Sequence, residues 1–212
     1  MTRIWGRRGS SSVQKVMWTL AELGVEHERI DAGYGFGLTD SPAYLAKNPN
    51  GTIPTLEEPD GFTLWESNAI VRYLATRHGE GTLAPADLRA NARANSWMDW
   101  ASITLEPALS TLWNRLVLKG APPSTLPDET LIDKVVQNLT LLSASLPPKG
   151  FLLGDRLSIG DIPVGQLVSR WFKLPISHPE IPRIQSYFAL LGERSAYREH
   201  VIAARPLTCT AD

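Results

Sequence analysis

Three consecutive serines, Ser10, Ser11 and Ser12, stand directly ahead of one helical pattern, and the pair Glu66-Ser67 stands ahead of another. A helix that opens on such residues leaves backbone N–H groups and a positive dipole end pointing outward, which suits a carboxylate. Glu66 beside that end can take an ammonium. One spot that accepts both fits the α-amino-acid end of a small peptide. A plainer reading stands beside each feature. Any of the three serines can be the N-cap of the helix behind them, and a serine run can mark a flexible loop. Ser67 can be an ordinary N-cap, with Glu66 a favourable charge near the dipole.

The elements that must hold these residues are compact. Asn48-Pro49-Asn50-Gly51 is strong turn chemistry, because Pro49 fixes φ and Gly51 accepts positive φ. An Ile53-Pro54 step follows, then two short strand-like runs, Thr55-Leu56-Glu57 and Phe62 to Trp65, joined by the turn Pro59-Asp60-Gly61. Ala69, Ile70, Tyr73 and Leu74 place the next helix behind Glu66-Ser67. Upstream, Arg3-Ile4-Trp5 is a strand candidate and Gly6 to Ser12 a loop. Val13, Val16, Met17, Leu20 and Leu23 form a helical stripe ending at Gly24. Val25 to Ile30 is a second strand, Asp31 to Thr39 a glycine-rich loop, and Ser41 to Lys47 a short helix. The order is βαβαββα, that of the thioredoxin fold.

Residues 79–86 form a linker, and no strand pattern follows it. Asp87 to about Leu118 is a long helical stretch that Pro107 should bend. A Pro-rich break from Gly120 to Pro127 precedes a helix from about Asp128 to Ser145. Ser158-Ile159-Gly160-Asp161 reads as a capping box with Asp in place of Glu. Val164, Leu167, Val168 and Trp171 form the stripe behind it, and a final helical region covers about Pro179 to Ile202. The expected organisation is an α/β unit over 1–78 and an all-helical unit over 87–212.

Composition narrows the function. In 212 residues the net charge is −1, which gives bulk electrostatics no reason to favour nucleic acid or an anionic membrane. The single cysteine, Cys209, cannot form an internal disulfide or a Cys-X-X-Cys pair, in keeping with a reducing cytoplasm. Neither a signal peptide nor a membrane-spanning run is expected. His27, His78, His178 and His200 show no ligand spacing, so no metal is expected. Asp31 to Leu38 only partly matches a dinucleotide loop, since Leu38 holds the place of the third glycine.

From Asn48 to Ser67 the chain resembles the second half of a glutathione transferase N-terminal domain, and the helical half extends the resemblance over nearly the whole chain. The likeness is to cytosolic, bacterial, serine-type members (theta/delta-like or related). It implies a cis Ile53-Pro54 bond, with Thr52, Ile53 and Pro54 meeting the cysteinyl part of glutathione and Glu66 and Ser67 the γ-glutamyl end. Spacing to Val16 matches Ser10 to the family's catalytic serine. Ser12 falls where some bacterial members carry an asparagine facing the sulfur, and Ser11 could replace either. With no tyrosine or cysteine near this loop, tyrosine-type and cysteine-type mechanisms are disfavoured. Trp100 and Trp113, on the long helix, are candidates for an electrophile pocket, although aromatics at helical spacing are usually core. One departure is Gly51, where several classes carry a histidine or lysine for the glycine carboxylate of glutathione. Lys47, Arg7 or Arg8 are the available substitutes.

The resemblance implies a cytoplasmic homodimer that transfers glutathione to an apolar electrophile, with glutathione as co-substrate. Two other functions remain open: glutathione-dependent reduction of disulfides or peroxides, and a non-catalytic domain of this fold that binds ligands or proteins.

Overall fold

The computed structural model describes residues 1–122 and 129–204; Cys209, Asp128 and most of the Pro-rich break lie outside them. The first unit is β1 (Thr2–Trp5), α1 (Ser11–Leu23), β2 (His27–Ile30), α2 (Pro42–Leu45), β3 (Thr55–Glu57), β4 (Thr63–Trp65) and α3 (Ser67–His78). Its sheet runs β2-β1-β3-β4, with β1 parallel to β2 and antiparallel to β3, and β4 antiparallel to β3. This is a thioredoxin-like layer, as the sequence order implies. Val13, Val16 and Leu20 of α1 and Ile70 and Leu74 of α3 bury against Ile4 and Leu56 of the sheet. Gly24, in the left-handed region at φ 64°, closes α1.

The second unit is helical: α4 (Leu88–Trp100), α5 (Glu106–Trp113), α6 (Glu129–Ser145), α7 (Asp161–Phe172), α8 (Pro182–Gly192) and the short α9 (Ser195–Tyr197). A π turn over Ala101–Leu105 joins α4 to α5, and another over Asn114–Leu118 follows α5. The expected bend at Pro107 takes that form. The Glu106 N–H reaches back to the Ala101 carbonyl, and Pro107 follows with no N–H to offer. A widened turn thus absorbs the proline without ending the helix.

The final helical region expected over about Pro179 to Ile202 is present but interrupted. Arg194 is extended (φ −81°, ψ 124°) between α8 and α9, and its guanidinium clasps Glu22 of α1. The apolar spacing there is helical on both sides of the break, so only a partner from another element reveals it.

α7 is the hub of the helical unit. Every residue from Asp161 to Trp171 is buried, and the helix packs on α1, α4, α5 and α8. Trp18 turns away from the sheet to enter this second core, its ring 4.7 Å from that of Tyr197. Gln166 Nε2 donates to Gln14 Oε1 (3.1 Å), and Asn68 Nδ2 donates to Ser102 Oγ (3.0 Å), so polar pairs also cross between the units. Among the described residues no helix is long and apolar enough to cross a membrane.

The Ser158 box differs from its expected form. Asp161 Oδ2 accepts from the Ser158 N–H (2.9 Å), as a box requires, but the Ser158 hydroxyl also donates to that oxygen (2.8 Å) and caps no N–H. The other carboxylate oxygen accepts from Leu152 N–H (2.9 Å) and Tyr187 O–H (2.8 Å). A local cap has become a junction between a loop, α7 and α8.

Candidate functional site

Strand register assembles the site. Trp5 pairs with Thr55 and Thr55 with Trp65, forming one row across three strands. Gly6 and the serine loop follow Trp5, Ile53-Pro54 precedes Thr55, and Glu66 follows Trp65. Three segments distant in sequence therefore leave the sheet at one edge.

Ser10 occupies the N-cap position of α1 with extended backbone (φ −77°, ψ 126°), and its carbonyl accepts from the Gln14 N–H at 2.9 Å. Its hydroxyl makes no capping hydrogen bond. The backbone does the work of a cap and leaves the side chain uncommitted. Ser11 and Ser12 are the first helical residues, both partly buried. Gly6 lets the loop pass close to its neighbours, since a Cβ there would lie 2.5 Å from Val13 Cγ2.

The Ile53-Pro54 bond is cis. The Ile53 side chain packs over Gly33 and Gly6, while its backbone makes no hydrogen bond to other described residues. The Thr52 carbonyl is already engaged, accepting from Tyr44 O–H (2.6 Å) and Asn48 Nδ2 (2.8 Å). Asn48 is fully buried and also takes the Asn50 N–H on its Oδ1 (3.0 Å), which holds the turn ahead of Ile53.

Glu66 and Ser67 each sit one position further into the helix than a Ser67 N-cap would place them. Glu66 is the residue before α3, and Ser67 is the first helical residue, only 6% exposed. Glu66 has φ 68° and ψ 112°, one of two described non-glycine residues at positive φ. Such a conformation costs about 1–3 kcal/mol and clusters at active sites and ligand clamps. The exposed Glu66 makes no cap bond to the helix it precedes. Behind it lies the buried Lys15, whose Nζ donates to Asn68 Oδ1 (3.1 Å). Burial lowers the Lys15 pKa, while Glu106 and Glu66 act to keep it charged.

Glycine at position 51 follows from the turn itself. At φ 61° a side chain there would be strained, and a Cβ would sit 3.1 Å from the Thr39 carbonyl. Two of the three substitute cations are occupied elsewhere. Lys47 pairs with Glu57 at 2.6 Å, and Arg8 donates to the Glu199 carbonyl at 3.2 Å. Arg7 lies against the Tyr34 ring, 5.9 Å from its centroid, and its buried Nε has no hydrogen-bond partner among the described residues.

Ser10 and Ser11 open onto a cavity of about 170 Å³ closed on its far side by Trp113 and by α7. Ser12 is not in its wall. Trp100 is also elsewhere, packed edge-on against Trp97 at 5.1 Å and joined to the helical core. The wall is not the apolar surface expected for an electrophile pocket: Arg7, Gln14, Gln166, Arg170 and Lys173 contribute to it. The sequence carried a signal for part of this wall. Gln166, Ser169 and Arg170 stand at i, i+3 and i+4 on one face of an otherwise apolar helix. Among the described residues no cluster of His, Cys, Asp or Glu could hold a metal.

Comparison with known proteins agrees with this geometry. Residues 2–76 match the family model described as glutathione S-transferase, N-terminal domain. Over 210 residues the chain is 36% identical to glutathione S-transferase GstB of Escherichia coli strain K12, covering 95% of this chain and 98% of the relative. A theta class glutathione S-transferase from Xanthomonas axonopodis pv. citri, solved with glutathione bound, superposes with a TM-score of 0.85 at 39% identity, over 96% of this chain and 98% of that one. The apo form of the Xanthomonas enzyme gives a TM-score of 0.78 at 34% identity, over 96% and 97% of the two chains. The chain belongs to the glutathione S-transferase family.

Proposed function

We propose that this protein is a glutathione transferase in which Ser10 holds the thiolate of bound glutathione for attack on an electrophile. The observation that carries the reading is the uncommitted Ser10 hydroxyl, held at the N-terminus of α1 on the same sheet edge as Ile53-Pro54 and Glu66-Ser67. Glu66 takes the γ-glutamyl ammonium, and the N-terminus of α3 with Ser67 receives the neighbouring carboxylate. Ile53 supplies free backbone groups to the cysteinyl peptide. A free thiol of pKa about 8.5 is only a few per cent ionised at neutral pH, and a hydroxyl donor with a helix N-terminus stabilises the charged form. The thiolate lone pair forms the new C–S bond, the leaving group departs with its electron pair, and the thiol proton has already gone to solvent. A cytoplasmic homodimer is the form that accompanies this reading.

The test is a titration with glutathione, following ultraviolet thiolate absorbance from mildly acidic to alkaline pH. A bound thiolate should appear about one to two pH units below free glutathione. Binding with an unshifted pKa would favour a non-catalytic ligand-holding domain, and no binding would end the glutathione reading. Glu66→Gln should raise the dissociation constant of glutathione at least tenfold, because it removes the charge that meets the ammonium. An unchanged affinity in that variant would take Glu66 out of the site.

A further inference from the structure

We infer that the second substrate of this enzyme carries an anionic group, a carboxylate in the simplest case, which the cavity beside Ser10 receives on Arg7, Arg170 and Lys173. The inference rests on the transferase reading and names the substrate class of that same site. Among the described residues, three cationic side chains line the cavity and no carboxylate does. Arg170 has Glu106 3.9 Å away, outside the wall.

Each cation is under-compensated in its own way. The Arg170 side chain is only 9% exposed; it donates to Ser110 Oγ (3.1 Å) and lies over the Trp113 ring at 5.0 Å. Lys173 Nζ donates to the carbonyls of Val201 (2.6 Å) and Ala204 (3.4 Å), which are neutral acceptors. Arg7 Nε, as noted, has no partner among the described residues. Burial pulls Arg170 down to about 10, with Glu106 acting against the shift, and Lys173 to about 8. A cavity that gathers desolvated cations repels a cationic ligand and gains little from an apolar one. Its volume also sets a limit. A cavity of about 150 Å³ holds a benzene ring, so about 170 Å³ suits a small ring or short chain bearing one acidic group.

Binding of two thioether conjugates tests this without requiring turnover. S-(4-carboxybenzyl)glutathione and S-(4-carbamoylbenzyl)glutathione share the glutathione part and differ only in the charge placed in the cavity. S-methylglutathione, which leaves the cavity empty, reports on the glutathione site alone. Calorimetric titration of the full chain should show the acid binding at least tenfold tighter than the amide. In Lys173→Met and Arg170→Gln that preference should shrink to less than about threefold, while Lys173→Arg should retain most of it. Equal affinities for acid and amide in the wild type would overturn the inference, with no dependence on how any variant folds. So would a preference that survives both neutral substitutions, or binding of S-methylglutathione without either benzyl conjugate. Failure of all three ligands to bind would instead overturn the glutathione reading, and the inference with it.

Discussion

Ser10→Ala is expected to raise the pKa of bound glutathione thiol by about one to two units and to lower kcat/KM at neutral pH roughly 10- to 100-fold. Only the hydroxyl is lost, since the N-cap role of Ser10 is carried by its extended backbone and its carbonyl bond to Gln14. The stability of α1 should therefore stay within about 0.5 kcal/mol of wild type, whereas a serine that caps through its side chain would cost about 1 kcal/mol. Glutathione affinity should hold within a few-fold, because Glu66, Ser67 and Ile53 are untouched. The pH profile of kcat/KM is the decisive readout, as it should shift upward in parallel with the thiol. A normal profile in Ser10→Ala, with a shifted one in Ser11→Ala, would move the role to the neighbouring serine, which lines the same cavity. Ser12→Ala is the control within the cluster, since Ser12 stands outside that wall.

The largest structural effect is expected at Asp161, which does not line the cavity. Its carboxylate is fully buried and accepts four hydrogen bonds, from Leu152 N, Ser158 N, Ser158 Oγ and Tyr187 Oη. Asp161→Ala leaves all four donors buried without an acceptor, at a cost of about 3–5 kcal/mol. For a chain of this length that is a fall in Tm of roughly 6–20 °C. Asp161→Asn is not a conservative replacement, because its amide nitrogen would face a donor on one side or the other. Urea denaturation of both variants, followed by tryptophan fluorescence, measures the effect. A loss below about 1 kcal/mol in the alanine variant would mean that the junction is not the strut its hydrogen bonds describe.

The N-terminal layer was legible because its information is local. The Asn48–Gly51 turn, the stripe of Val13, Val16 and Leu20, and glycine at position 24 each act within a few residues, and the structure shows the elements they predict. The Ser158-X-X-Asp161 spacing marked the start of α7 for the same reason. Where the reading stopped short, the deciding partner lay elsewhere in the chain. Glu66 rather than Ser67 precedes α3 because β4 runs to Trp65 in register with Thr55, leaving a single residue to turn the chain. The break at Arg194 needs Glu22, which is 172 positions away.

The amino-acid order by itself determined the family, the order of elements, and which short segments carry serine, Ile-Pro and Glu-Ser. Each of these is a matter of residue type and spacing over one or two turns. Only the tertiary structure decided that Trp113 rather than Trp100 lines the cavity with the serine loop, and that Arg170 of α7 and Lys173 just beyond it complete that cavity. The physical reason is helix rotation. Residues 13 positions apart lie about 140° apart around an ideal α-helix, and the intervening π turn together with the packing of α7 sets which of them faces the site. The charge of a pocket wall is a sum over elements that meet only after folding, so no single segment could announce it.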